Sequence, residues 1–188
     1  MRKYFFILLS LFPLLAAAQT ETDIRNYYAD INKKIEESAN MSYEGHLYNN
    51  HWVTNKNGKS WPATGRFTAT TDFWYDDPPD HLGAADRDPK NVLIKVTTSR
   101  KTVDYSASEE YLYKDGKLLF FYSHTREEDR VWDTRVYFND KGDVIKNSVT
   151  ANGKELTAAD LDTEENSDAK PHPAMILEEA KKMQALFL

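Results

Sequence analysis

The chain has no cysteine in its 188 residues. Thiol catalysis, disulfide bridges and thiolate metal sites are thereby excluded, and so is the lipid-bearing N-terminal cysteine of a standard bacterial lipoprotein. Phosphate-cradling loops are missing too, since neither G-x-x-x-x-G-K-[ST] nor G-x-G-x-x-G occurs. No G-x-S-x-G elbow marks an α/β-hydrolase nucleophile, and no H-E-x-x-H marks a zinc peptidase. Clustered Lys and Arg are lacking, and the formal net charge is −6. Phosphate backbones are bound by clustered basic side chains, so nucleic acid is not an expected partner. The net acidity reads as ordinary solubility charge. After residue 15 no apolar run approaches the roughly 20 residues needed to cross a bilayer.

What the sequence does have begins at its N-terminus. Arg2 and Lys3 precede an apolar run from Tyr4 to Leu15, and Ala16, Ala17 and Ala18 follow it before Gln19. Positive charge, a short apolar run and small residues are the three parts of a secretory signal peptide. The expectation is cleavage between Ala18 and Gln19 and export to the periplasm or the cell exterior. Residues 19–188 then form a single secreted domain of ordinary size, long enough to bury a core without staples. Removing the leader leaves 22 basic against 30 acidic residues, a net charge of −8. Small exported domains commonly lean on disulfides. A cysteine-free one suits a bacterial envelope or exterior better than a eukaryotic secretory route.

Hydrophobic spacing predicts the elements. Ile24, Tyr27, Tyr28, Ile31 and Ile35 make one helical stripe, with Thr20 and Thr22 as candidate N-caps and Asn40 as its end. Tyr43, Gly45 and Leu47 open a strand region. Phe67, Ala69, Thr71, Phe73 and Tyr75 alternate with polar neighbours as a half-buried strand. Val92, Ile94 and Val96 open the next strand. Asp115-Gly116 and Asp140-Lys141-Gly142 each sit between apolar runs and predict hairpins, and Asn152-Gly153 marks a third turn. Residues 157–172 read as a loop or linker. Pro173 then starts a second helix with Ile176, Ala180, Met183 and Phe187 as its stripe.

Three groups of side chains could carry chemistry. The loop from Asp76 to Asn91 holds Asp76, Asp77, Asp80, Asp86 and Asp88 with His81 among them. Several oxygens on one flexible segment suit Ca²⁺, although the spacing is not that of an EF-hand. Ca²⁺ is the one cofactor such a loop would take, and no other cofactor is expected. Trp52, Trp61, Trp74 and Trp132 are candidate ligand-binding residues, because aromatic rings on a sheet face bind sugar rings or peptides. Glu109-Glu110 and Glu127-Glu128 are adjacent carboxylate pairs, and the histidines are His46, His51, His81, His124 and His172. No spacing among these points to a particular metal or reaction, and no catalytic residue is assigned.

Two segments carry a resemblance. The run from Glu110 to Tyr122 and the run from Arg135 to Asn139, preceded by a helix like Ile24 to Ile35, resemble a pattern in uncharacterised exported bacterial proteins. That resemblance implies a curved antiparallel sheet with a helix packed on it, and no catalytic residues. The fold expected is α+β: a single antiparallel β-meander of six to eight strands, the N-terminal helix packed on one face, and a C-terminal helix joining it or closing an edge. The function expected is that of a non-enzymatic binding or interaction module. Its partner would be a glycan, a peptide or an envelope protein. The alternative is a small hydrolase or lyase acting on envelope polymer with carboxylates and a histidine.

Overall fold

The computed structural model describes residues 20–41, 44–76 and 92–187. The expected leader of residues 1–18 and the expected cleavage between Ala18 and Gln19 lie outside these residues. Helix α1 spans Glu21–Met41. Of the two candidate caps, Thr20 holds the position. Its hydroxyl accepts the Asp23 amide at 3.2 Å while the Asp23 carboxylate accepts the Thr20 amide at 3.0 Å, the reciprocal arrangement of a capping box.

Eight strands follow in one antiparallel sheet, ordered β1-β4-β5-β6-β7-β8-β9-β10. They are β1 (Tyr48–Thr54), β4 (Thr68–Tyr75), β5 (Leu93–Lys101), β6 (Tyr105–Lys114), β7 (Lys117–Glu127), β8 (Arg130–Phe138), β9 (Val144–Ala151) and β10 (Lys154–Glu155). Short β2 (Ser60–Trp61) and β3 (Gly65–Arg66) pair separately as a small ribbon. The strand expected to open near Tyr43 starts later, at Tyr48, so His46 precedes it and only His51 lies on β1. The Asp115-Gly116 and Asn152-Gly153 turns have both residues at positive φ, the conformation a two-residue hairpin requires.

Alternation gives each strand two faces, and both are covered at one end of the sheet. On one face Ile24 and Ile31 of α1 bury against Leu112, Leu119, Phe120 and Tyr137. On the other, Phe73, Val96, Tyr111, Phe121 and Val136 pack beneath Ile176 and Ala180 of α3 (Pro173–Phe187). The C-terminal helix therefore neither joins α1 nor closes an edge. It makes a third layer. Consecutive strand residues such as Phe120 and Phe121, or Val136 and Tyr137, belong to opposite cores, so the sheet centre reads as a continuous apolar run rather than a clean alternation.

Bulges adjust this plan at three places. Partners shift between Trp74/Tyr75, Leu112/Tyr113 and Tyr137/Phe138, leaving Ile94, Leu119 and Ile145 as extra residues on β5, β7 and β9. Ile94 consequently packs with the α1 core while Leu93 and Val96 belong to the α3 core. The strand expected to open at Val92 starts at Leu93. Ile94 and Val96 face opposite sides although they are two residues apart, because a bulge shifts the alternation. Leu119 and Phe120 both serve the α1 core for the same reason.

The stretch expected as a loop is built from short turns. Thr157 caps the four-residue helix α2 (Ala158–Leu161) in a capping box with Asp160, and a 3₁₀ turn covers Ser167–Ala169. No helix among the described residues is long and apolar enough to cross a membrane.

Candidate functional site

On the α3 face the large side chains stop partway along the strands. The row Val96, Tyr111, Phe121 and Val136 lies under the helix. The next rows outward carry shorter side chains at Thr98, Ser123, Thr134, Ala107 and Thr125, with Glu109, Arg100 and Trp132 among them. Above them the chain from Glu164 to Met175 crosses over the sheet. Three contacts hold it there: Trp132 Nε1 donates to Asn166 Oδ1 at 3.2 Å, Thr134 Oγ1 donates to the Ala169 carbonyl at 3.4 Å, and Arg130 pairs with Glu165 at 2.8 Å. Small floor residues under a tethered strap leave a groove of about 970 Å³.

The groove is a mixture of apolar and acidic surface. Phe121, Trp132, Met175 and Ile176 supply apolar parts, Ser123, Thr125 and Thr134 supply hydroxyls, and Glu109, Glu127, Glu128, Asp129, Glu164, Glu165 and Asp168 supply carboxylates. Glu109 accepts the Tyr111 hydroxyl at 2.7 Å. Burial, with the Glu109 charge beside it, pushes the Tyr111 phenol far up, so it stays a donor. The two lining cations are engaged: Arg130 by Glu165, and Lys170 by Asp162 at 2.6 Å. His172 lines the groove, but among the described residues no hydrogen bond or ion pair joins its side chain to a carboxylate.

The sequence-derived candidates are not brought together. Of the four tryptophans, only Trp132 lines the groove. Trp52 sits on edge strand β1 against Phe73, with ring centroids 4.9 Å apart. Trp61 is on the small ribbon, edge-on to Phe67. Trp74, next to Phe73 on β4, lies on the α1 side of the sheet. Asp76 lines a smaller cavity of about 220 Å³ beside Tyr27 and Tyr113. Asp77, Asp80, Asp86, Asp88 and His81 lie outside the described residues. Among the described residues no group of three or more His, Asp or Glu side chains is placed to hold a metal ion.

The adjacent glutamates divide between faces. Glu109 enters the groove, while Glu110 accepts the Tyr28 hydroxyl and the Lys95 ammonium, both at 2.7 Å, under α1. Lys95 is almost fully buried and also donates to Asn32 at 2.6 Å. That cluster pins α1 to the sheet. Two further pairs, His51–Asp72 at 2.8 Å and His124–Asp133 at 2.9 Å, are direct cross-strand neighbours on the α1 side, where the sheet runs out beyond the helix.

Missing from the sequence-derived site are Glu164, Asp168 and Met175, which with His172 form the groove's far wall. The only signal in the sequence was the acidic composition of residues 157–172, and it did not say which strands that segment would cross. No protein-family description, curated protein or solved structure matches this chain.

Proposed function

We propose that the chain is an exported, non-enzymatic binding module whose groove over β6–β8 takes an extended cationic ligand with an apolar portion, of which a basic peptide is the simplest example. One observation carries the reading. Glu127, Glu128, Asp129, Glu164 and Asp168, all exposed, line one groove of mixed apolar and polar surface, and among the described residues none of their side chains makes an ion pair or a hydrogen bond. An excess of carboxylates along one groove gives it a negative potential, which a ligand cation complements. The floor adds apolar contact at Phe121, Trp132 and Ile176. Export rests on the leader of residues 1–18.

Trp132 is a built-in reporter. Titration with an acetylated peptide of alternating lysine and leucine is expected to change intrinsic fluorescence saturably, and Trp132→Phe to abolish that change. Affinity is expected to fall with added salt. Neutralising Glu127 and Asp168 together, as Gln and Asn, is expected to weaken binding by roughly tenfold, since exposed charges each contribute up to about 1 kcal/mol. A glutamate–leucine peptide that binds equally well, or a lysine–leucine peptide that does not saturate, would refute the reading.

A further inference from the structure

The sheet has two edges of different character. At one, β10 is only two residues long and carries Lys154 and Glu155, which discourages pairing with another strand. At the other, β1 is a seven-residue strand, Tyr-Asn-Asn-His-Trp-Val-Thr, exposed at every position. It contains no lysine, proline or acidic residue, and its register with β4 runs without a bulge from Tyr48 to Thr54. Among the described residues none of the usual devices that keep an edge strand from pairing is present. Exposed apolar side chains gather here as well: Tyr48, Trp52 and Val53 on β1 and Trp61 on the adjoining ribbon are 43–47 % exposed.

We infer that β1 is a self-association edge, and that a second copy of this chain pairs with it antiparallel to make one continuous sheet across two protomers. Three features favour a second copy over another strand. β1 is neutral in a chain of net charge −6, so two copies meet where they do not repel. At the opposite edge β10 covers only the end of β9, and the open part of β9 from Val144 to Ser148 carries Lys146 and the extra residue Ile145, which disfavour pairing with β1. The pairing is therefore β1 with β1 and closes as a two-fold dimer instead of growing into a filament. The strand is also self-complementary in size. A two-fold axis at His51 sets Trp52 opposite the partner's Asn50, Val53 opposite the partner's Asn49, and Tyr48 opposite the partner's Thr54. Each larger side chain meets a smaller one, and the two Trp52 rings lie diagonally across the axis, within reach of each other. His51 stays tied to its own Asp72.

Sedimentation equilibrium of the mature chain between about 1 and 200 μM tests this, a range that brackets a micromolar dissociation constant. The expected result is a monomer–dimer equilibrium. Val53→Lys, at a solvent-facing position, is expected to weaken it at least tenfold, while Val103→Lys, at a side chain 79 % exposed, leaves it unchanged. Because the chain has no cysteine, the double variant Asn49→Cys, Val53→Cys is expected to oxidise to a cross-linked dimer, and either single variant is not. A monomer at every concentration overturns the inference. So does a dimer that survives Val53→Lys and yields no 49–53 cross-link, which would place the contact on another surface.

Discussion

At the scale of single residues, polar side chains do the fixing that apolar ones cannot. Asp133 is the fullest case. One of its carboxylate oxygens accepts the Tyr122 hydroxyl at 2.6 Å and faces the His124 ring at 2.9 Å, and the other accepts Thr150 at 3.4 Å. Burial works to raise its pKa, but the hydrogen bonds from Tyr122 and His124 outweigh it and hold the carboxyl below its ordinary value. A carboxyl whose pKa is lower folded than unfolded contributes stability above the unfolded value. That contribution disappears as the pH falls through the folded one. Acid therefore removes it, and alkali does not. Asp133→Asn is expected to flatten the acid limb of stability between about pH 5 and 2 relative to the parent, read from urea midpoints at each pH. Parallel acid limbs in the two proteins would show that the carboxylate is not held this way. The tyrosines run the other way. Tyr27 and Tyr28 are pushed up to about 12, chiefly by burial, so they favour the fold up to pH 10 and lose that contribution as the pH rises towards 12.

At the scale of elements, the sequence was legible wherever a local rule decides the structure. The stripe from Ile24 to Ile35 gave α1, the stripe from Ile176 to Phe187 gave α3, and Asp115-Gly116 gave its hairpin, because each depends on spacing or on positive φ alone. The β6–β7 and β8–β9 hairpins share one irregularity. Both return strands carry a bulge at the matching point, adding Leu119 in one and Ile145 in the other. Bulges were not legible, because nothing in a strand's own composition marks the extra residue. The β7–β8 turn was missed for a related reason, since Glu128 takes a positive φ of 50° without being glycine. Where α1 hands over to β1, a glycine does set a limit. A Cβ on Gly45 would stand 2.5 Å from the Ser38 Cα, and the Ser38 hydroxyl there accepts the Leu47 amide at 2.9 Å. Backbone on backbone cannot yield by a rotamer change, so Gly45→Ala is expected to cost about 2–3 kcal/mol. Gly65→Ala, with open space around it but φ of +72°, is expected to cost only about 1 kcal/mol. Thermal or urea unfolding of the pair checks the order, and equal losses would mean that the α1–β1 junction relaxes freely.

At the scale of the whole molecule, one sheet is shared by two cores. Alternation along a strand says which face a residue occupies, but not what will lie over that face. That is why the groove could not be read in advance: its floor comes from β6–β8 and its wall from a segment several dozen residues further on. The same sharing has a thermodynamic consequence. Tyr111 and Leu112, Phe120 and Phe121, and Val136 and Tyr137 are neighbours in sequence that serve opposite cores. Loosening the α3 core therefore loosens the strands on which α1 packs, and the two layers are expected to unfold as a unit. Ile24→Ala acts on one core and Ile176→Ala on the other. Each is expected to lower stability by roughly 2–4 kcal/mol, the Ile176 variant less because Ile176 keeps 9 % of its surface exposed. The double variant is expected to lose close to the sum, since the two side chains share no partner. In every case tryptophan fluorescence and far-ultraviolet circular dichroism should trace one coincident transition. If Ile176→Ala split the curve in two, with α3 leaving before the sheet melted, the C-terminal layer would be a detachable cover. The groove would then exist only while that cover is closed.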